Sequence, residues 1–218
     1  MLELLTKELE AHRHAENARQ MEKYMKNLFP FFGIKTPERR KITAQFFKET
    51  GLIKQPFQSD FVLELWDKDE REYQNIALDY IDKKLRNISK EHLSLLENLL
   101  TEKSWWDTVD MLAQKPVGKI SAESPEVIPE TLENWSTNEN MWLRRTSILF
   151  QLKFKENTDE ELLYEYIKRN AGSKEFFIQK AIGWALREYS KTNPNSVRKF
   201  IQQNKLAKLS IREGSKYI

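Results

Sequence analysis

Polar and apolar positions recur along the chain with a step of 35 residues. One series with this step is polar, and we call it the polar series: Arg40, Asn75, Asp110, Arg145 and Lys180. Two neighbouring series are mainly apolar: Trp106, Met141 and Phe176 in the first, and Ala77, Leu112, Ser147 and Ile182 in the second. A fixed period of about 20 to 50 residues is typical of a solenoid, in which equivalent positions line one face. The polar series is therefore predicted to share a face with large apolar side chains.

Within each period the apolar residues follow the spacing of an α-helix, and strand-like alternation is nearly absent. Leu93, Leu96 and Leu100 form one such stripe. Residues that commonly begin helices precede these stripes: Thr36 with Pro37, Ser59, Ser89, Thr158, and Asn193 with Pro194. A second set of helical positions keeps the same step: Phe61, Leu96, Thr131, Tyr166 and Ile201. Each repeat is therefore predicted to be a pair of antiparallel helices.

The loops between these helices are short, as at Lys115-Pro116 and at residues 171–173, which predicts one continuous domain over residues 1–218. Residues 1–30 fit the period less well and are predicted to form N-terminal capping helices. The repeats then cover about 31–205, and residues 206–218 form a C-terminal cap. A tetratricopeptide array has a similar period, but its pattern of Trp, Gly, Tyr, Ala and Pro is absent. The predicted fold class is all-α, an α-solenoid of helical hairpins.

The amino-acid composition favours a helical protein without disulfides, metal sites or membrane spans. The 218 residues are 32% charged and 39% hydrophobic, which suits a helical protein with a substantial core. There is no cysteine, which excludes disulfides and thiolate metal sites, and only three histidines, so we expect no metal and no cofactor. No apolar run approaches the ~18 residues of a membrane span, and the N-terminus lacks the core of a signal peptide. We expect a monomer in the cytoplasm, associated with the nucleoid in a bacterium.

Charge is modest overall but uneven. The net charge is +3, yet the stretch from Asn140 to Lys155 holds four cations and no acid: Arg144, Arg145, Lys153 and Lys155. A local basic strip is compatible with binding to a phosphate backbone. It is also common on ordinary solvated helices, so charge alone leaves both interpretations open.

Asp110 is the only carboxylate in the polar series, and Trp106 lies one helical turn before it. Lys180 lies one turn after Phe176 and one turn before Trp184. Aromatic residues at such spacing usually pack in a core, and an Asp near an Arg is usually an ion pair. Because buried charges are costly unless paired, however, charges that recur beside aromatic rings indicate a face that contacts a ligand.

Rings and cations together suit a sugar-phosphate chain, whereas a carboxylate repels phosphates. The carboxylate becomes useful if the substrate develops positive charge, as a deoxyribose does when its base departs. At ~4 Å and an effective dielectric of about 20, it would stabilise a unit charge by about 4 kcal/mol. The sequence contains no glycine-rich phosphate loop, no GxSxG and no HExxH motif that would indicate another reaction.

Several segments carry a resemblance to a known family: KSWWDTVD, MWLRRTSILFQLKFK, KEFFIQKAIGWALREYSKTNP, YMKNLFPFFGIKTPERR and LWDKDEREYQ. In these segments the chain resembles the DNA alkylation-repair glycosylases of the AlkD family. The resemblance implies a HEAT-like repeat fold with a concave DNA-binding groove. It also implies hydrolytic excision of 3-methyladenine and 7-methylguanine from duplex DNA, without insertion of the base into a pocket.

The resemblance places the catalytic aspartate of the family at Asp110 and its two sugar-contacting tryptophans at Trp106 and Trp184. The groove arginine falls on Arg145, and a DNA-contacting tyrosine falls on Tyr24. The same segments and the polar series supply further candidates for contacts to DNA: Lys26, Arg40, Lys103, Arg144, Lys153, Lys155, Lys174 and Lys180.

Two other functions stay open at this point. A non-catalytic HEAT-type module could bind DNA or a protein, although a pure DNA binder would gain from an amide or a cation at Asp110. A glycosylase coupled to a lyase step would need an amine beside the sugar, and Lys180 is its only candidate in the polar series.

Overall fold

The computed structural model describes residues 1–218, which form helices and no β-strand. The α-helices are α1 Leu2–Ala11, α2 Ala15–Tyr24, α3 Thr36–Thr50, α4 Ser59–Asp67, α5 Arg71–Lys83, α6 Leu93–Thr101, α7 Trp106–Leu112, α8 Gly118–Glu123, α9 Glu133–Ser136, α10 Met141–Leu149, α11 Glu160–Asn170, α12 Phe176–Tyr189, α13 Pro194–Gln203 and α14 Lys208–Gly214. Turns of 3₁₀-helix span Leu52–Lys54, Leu85–Asn87, Lys90–His92 and Lys155–Asn157, and π-helical turns span Ala113–Val117 and Ile128–Leu132. The prediction of an all-α fold is confirmed.

The helices alternate as the 35-residue period predicts. The polar series lies on α3, α5, α7, α10 and α12, one residue to each helix. The second series lies on the helices between them: Phe61 on α4, Leu96 on α6, Thr131 in the π-helical turn before α9, Tyr166 on α11 and Ile201 on α13. The chain is therefore a helical-repeat protein, with one helix of each pair carrying the polar series.

The chain divides into two compact units, Met1–Ile88 and Ser89–Ile218. The first contains α1 to α5, and the second contains α6 to α14. The candidate residues Asp110, Arg145 and Lys180 all lie in the second unit. A single domain over the whole chain stays a prediction.

The predicted helix starts are correct at Asn193 and at Ser89, which caps the 3₁₀ turn Lys90–His92 before α6, and are wrong by one residue elsewhere. Asn193 accepts a hydrogen bond from the Ser196 N–H at 3.2 Å. The cap of α11 is Asp159 rather than Thr158, because its carboxylate accepts the Leu162 N–H at 3.0 Å. Thr36 and Ser59 are already the first residues of α3 and α4, and no side chain caps either helix.

Glu72 fixes the loop between α2 and α3 in the first unit. Its buried carboxylate accepts the N–H groups of Phe32, Gly33 and Ile34 at 3.1, 2.9 and 3.1 Å. Burial raises the pKa of Glu72, and the three N–H donors oppose that shift. The loop would otherwise bury unpaired N–H groups, which proteins rarely tolerate. Glu72 thus determines how the chain passes from α2 to α3.

The core of the second unit determines how its repeats pack. Ile148 and Leu149 of α10 pack with Ile178, Ile182 and other apolar residues of α12 and with residues of α11 and α13. These side chains are buried and recur at helical spacing, so their burial is the main force that holds neighbouring repeats together. The apolar core therefore places α10 beside α12.

We predict that Glu72→Gln destabilises the protein by about 1–3 kcal/mol, because an amide offers one acceptor oxygen where a carboxylate offers two. Thermal unfolding followed by circular dichroism at neutral pH would measure the change. Glu64→Gln is the control, since Glu64 is an exposed residue of α4. Equal Tm values for the two variants would contradict the role given to Glu72.

Candidate active site

Asp110 on α7 and Arg145 on α10 form a bidentate ion pair. The Arg145 Nε donates to Oδ1 of Asp110 at 2.7 Å, and Nη2 donates to Oδ2 at 2.9 Å. The side chain of Arg145 is 5% exposed and that of Asp110 is 15% exposed, so the pair is largely shielded from water. The Arg145 Nη1 also donates to the backbone carbonyl of Phe177 at the start of α12. One guanidinium therefore links α7, α10 and α12.

The protonation of Asp110 reflects two opposing effects. The pKa of the Asp110 carboxyl lies above its usual value because burial raises it, and the hydrogen bonds and positive charge of Arg145 offset only part of that rise. The nearby Asp107 adds a smaller repulsion that raises it. Arg145 thus favours the carboxylate in a place where water cannot solvate it well. A carboxylate in such surroundings attracts a positive charge more strongly than one in water.

The helix that carries Asp110 widens directly after it. Residues Ala113–Val117 form a π-helical turn that contains Pro116, which has no N–H to donate. The carbonyl of Asp110 accepts a hydrogen bond from Nε2 of Gln114 at 2.9 Å. The chain then continues as α8 without a loop. Turns of this kind are frequent at functional sites in proteins.

Gly118 brings α8 into direct contact with the end of α10. A Cβ atom at this position would lie 2.6 Å from the carbonyl oxygen of Phe150, closer than real Cβ contacts. Only glycine permits this approach without a backbone shift. Because α8 continues α7, the contact helps to fix the position of Asp110 relative to Arg145.

Three aromatic rings that the sequence analysis missed pack where α7, α10 and α12 begin. The rings of Trp105 and Phe177 are 4.9 Å apart, those of Trp142 and Phe177 are 5.1 Å apart, and those of Trp105 and Trp142 are 5.7 Å apart. Phe176, which is 59% exposed, packs edge to face on Phe177. The 35-residue step does relate Trp142 to Phe177, so the sequence held a partial signal for this cluster.

The predicted sugar-contacting tryptophans are partly buried. Trp106 is the first residue of α7, one turn before Asp110. Trp184 lies in the middle of α12 and packs against the core of the second unit. Both residues are therefore partly accessible to a ligand.

Arg144 has a structural role that the sequence analysis did not foresee. Its Nη1 donates to the carbonyl of Glu139 at 2.9 Å and also to that of Asn138, and its Nη2 pairs with the Glu175 carboxylate. The guanidinium thereby ties the loop before α10 to the residue before α12. Its contact with DNA stays a prediction.

Three of the predicted DNA-contacting lysines have left-handed backbone conformations. The φ angles of Lys26, Lys103 and Lys155 are 59°, 48° and 53°. This conformation is uncommon for residues other than glycine and costs roughly 1 kcal/mol. Lys26 follows α2, Lys103 follows α6 and Lys155 follows α10, so each lies where the chain turns after a helix.

The other predicted cations are exposed or half-buried. Lys153 and Lys174 are exposed, and Lys153 lies 3.9 Å from the Glu188 carboxylate. The Lys180 ammonium lies 3.3 Å from a carboxylate oxygen of Glu213. No motif or period of the sequence indicates Glu213 as part of the site.

In the first unit, the candidate residues lie at the surface. Tyr24 is 69% exposed at the end of α2. Arg40 on α3 is exposed and lies 3.8 Å from the Asp79 carboxylate, which also accepts a hydrogen bond from Arg39 at 3.0 Å. Asn75 donates its amide to the carbonyl of Arg71 at 3.0 Å, so one of its donors is used within α5.

The described chain contains neither a candidate metal site nor a helix suited to a membrane. No group of three or more His, Cys, Asp or Glu side chains is placed to hold a metal ion. Separately, none of the helices combines the length and the apolar character needed to cross a membrane.

Comparison with known proteins defines the class to which this repeat fold and site belong. The family model described as DNA alkylation repair enzyme matches residues 5–218. The chain therefore belongs to the DNA alkylation repair enzyme family, whose substrate is DNA. The resemblance to the AlkD family, inferred from the sequence segments, is confirmed.

One solved structure supports this assignment, and a second shares the fold alone. A protein from Enterococcus faecalis, described as a predicted DNA alkylation repair enzyme, is 36% identical, with a TM-score of 0.87 over 95% of this chain and 97% of that one. The protein smu.31 from Streptococcus mutans is 17% identical, with a TM-score of 0.59 over 93% of this chain and 98% of that one, and shares the fold. No curated protein matches the sequence significantly.

We predict that Arg145→Met lowers the free energy of unfolding by about 3–5 kcal/mol, because it leaves the Asp110 carboxylate buried without a partner. Urea unfolding at pH 7 would measure the loss. Combining it with Asp110→Asn should recover part of that loss, since no buried charge then remains.

Arg198→Met is the control for this cycle, because Arg198 is exposed on α13, and its effect should stay within about 0.5 kcal/mol. If Arg145→Met lowers the free energy of unfolding by the same amount with and without Asp110→Asn, the ion pair does not couple α7 to α10.

Proposed function

We propose that the protein is a monofunctional DNA glycosylase that hydrolyses the N-glycosidic bond of positively charged alkylpurines, 3-methyladenine and 7-methylguanine, in duplex DNA. The observation that carries this proposal is the shielded carboxylate of Asp110, held by Arg145, in a chain of the DNA alkylation repair family. The reaction uses no metal ion and no cofactor. The protein acts as a monomer on DNA in the cytoplasm, at the nucleoid.

The proposed cleavage of the glycosidic bond depends on the positive charge that develops on the deoxyribose. The glycosidic bond breaks and its electron pair leaves with the base, which was cationic and becomes neutral, while the deoxyribose becomes oxocarbenium-like. Asp110 stabilises that sugar cation, and the benefit at ~4 Å and an effective dielectric of about 20 is about 4 kcal/mol. Asp110 also orients a water molecule, whose oxygen bonds to the sugar carbon as its proton passes to the carboxylate or to solvent.

A cationic leaving base explains why one carboxylate is sufficient. A neutral base leaves easily only if a general acid protonates it, and that assistance is typically worth about 10²–10⁴ in rate. Asp110 cannot supply the proton while it acts as the carboxylate that Arg145 favours. An N3- or N7-alkylated purine carries its positive charge before the enzyme binds it.

The remaining residues are proposed to hold the DNA. Trp106 and Trp184 flank the deoxyribose and exclude water from the side of Asp110. Arg145 has five N–H donors, of which three are used on Asp110 and on the carbonyl of Phe177, so two are left for a phosphate. Tyr24 and the exposed lysines contact the backbone of the duplex.

The alternative is a non-catalytic repeat module that binds DNA or a protein. The ion pair itself favours this alternative, because buried Asp–Arg pairs are also common in purely structural roles. A lyase step through Lys180 is not proposed, since its ammonium pairs with Glu213 and most groove lysines contact phosphates. Release of free base from methylated duplex DNA distinguishes the enzyme from the module.

We expect Asp110→Asn to slow excision of 7-methylguanine by about 10²–10³-fold while DNA binding is retained, because only stabilisation of the transition state is lost. Single-turnover release of the base and binding to undamaged duplex would be measured in parallel. Asp60→Asn, at an exposed position of α4, is the control. Excision near the wild-type rate would remove Asp110 from the mechanism, and loss of both activities would indicate a role in folding.

We expect excision of cationic alkylpurines and little or no excision of uracil or 1,N6-ethenoadenine, because the neutral bases lack a proton donor on the enzyme. The measurement is abasic-site formation in a set of duplexes that differ only in one lesion. Efficient removal of uracil would show that a general acid or a base-reading pocket exists, and the carboxylate mechanism would then be abandoned.

A further inference from the structure

A group of charged side chains surrounds Trp184 on α12. Lys180, Trp184 and Arg187 are spaced by four and three residues, which places them on one side of the helix. Helix α14 packs closely against α12 at this point. A Cβ at Gly183 would lie 2.6 Å from the Cβ of Glu213, so only glycine permits this approach of the two helices. Glu213 is therefore held next to the turn of α12 that carries Trp184.

The Glu213 carboxylate is the centre of this group and is only 8% exposed. Four cations lie within ion-pair distance of it: Lys180 at 3.3 Å, Arg187 at 3.2 Å, Arg212 at 3.6 Å and Lys216 at 2.7 Å. We call Glu213 and these four cations the Glu213 cluster. Hydrogen bonds from Lys216 and Lys180 and their charges lower the pKa of Glu213 to about 2, so the carboxylate is ionised at neutral pH.

The cluster holds more positive charge than its carboxylate needs. Four cations against one carboxylate leave an excess of three positive charges. All four cationic side chains keep part of their surface accessible, whereas Glu213 is almost covered. Cations that are ordered by a buried anion lose less entropy when they bind a second anion. The cluster therefore has the charge and the order needed to bind phosphates.

We infer that the Glu213 cluster binds DNA phosphates next to the nucleotide that Trp184 contacts, with Glu213 as the residue that positions Lys180 and Arg187. This inference rests on the proposed function, because it assumes that Trp184 lies against a deoxyribose. Lys180 and Arg187 lie two turns apart on α12, but their cationic groups converge on the two oxygens of the Glu213 carboxylate, at 3.3 and 3.2 Å. The same carboxylate therefore sets the spacing of the two charges that meet the phosphates.

Salt dependence of binding to an undamaged duplex tests the inference. Each true phosphate contact that is removed should lower the slope of log affinity against log salt by about one. We expect this loss for Arg187→Met and for Lys216→Met, and we expect Arg187→Lys to restore the slope. Arg198→Met removes the same charge from the exposed surface of α13 and should leave the slope unchanged.

The variant Glu213→Gln tests whether Glu213 positions Lys180 and Arg187, independently of the number of cations in the cluster. This variant removes no cation, so the salt slope should not fall, whereas excision at saturating enzyme should slow several-fold as Lys180 and Arg187 lose their anchor. Thermal unfolding of each variant identifies any that fail to fold, and Arg187→Lys then provides the comparison that keeps the fold.

The outcomes distinguish failure of this inference from failure of the proposed function. A wild-type protein that excises 7-methylguanine with a salt-dependent affinity, while Arg187→Met and Lys216→Met leave the slope unchanged, overturns the role of the cluster alone. An equal loss of slope in Arg198→Met also overturns it, because the effect would then be one of net charge. A wild-type protein with no salt-dependent binding and no excision overturns the proposed function itself.

Discussion

The bidentate pair between Asp110 and Arg145 gives a carboxyl group a charged partner in a place that water hardly reaches. Two charges in low dielectric attract strongly only when their geometry is good, and two parallel hydrogen bonds supply that geometry. The third bond of Arg145, to the carbonyl of Phe177, extends the constraint to α12. Any sliding of these helices past one another would separate the charges. The chemistry proposed for Asp110 and the packing of three repeats therefore depend on the same contact.

Polar contacts between successive repeats recur elsewhere in the chain. Arg39 pairs with Asp79 in the first unit, and Lys180 pairs with Glu213 in the second. The partners come from helices about one repeat apart, and α3, α5 and α12 also carry buried apolar residues. Apolar packing supplies most of the stability of such repeats but tolerates small shifts between helices. The charged pairs restrict those shifts, because hydrogen bonds depend on direction as well as distance.

The sequence predicted the fold better than it predicted contacts. The 35-residue period correctly identified which helices carry Asp110 and Arg145, because periodicity reports on neighbours in a repeat array. The period also implied that these opposite charges are adjacent, although Arg145 was interpreted as a groove cation. Glu213 was missed because α14 departs from the period, so no repeat relates it to Lys180. The predicted start of α11 at Thr158 was wrong by one residue, because the neighbouring Asp159 accepts the capping hydrogen bond.

The π-helical turn at Ala113–Val117 lets one continuous stretch of helix face α10 twice. Each residue of an α-helix rotates the chain by about 100°, so a single extra residue in a turn changes which side the next segment presents. Before the turn, Asp110 faces Arg145, and after it, Gly118 meets the carbonyl of Phe150. In a regular α-helix, eight residues at about 100° each would place positions 110 and 118 about 80° apart around the axis, and a wider turn reduces that angle. The wider turn thus brings an acid and a close contact between helices toward the same side of one continuous helix.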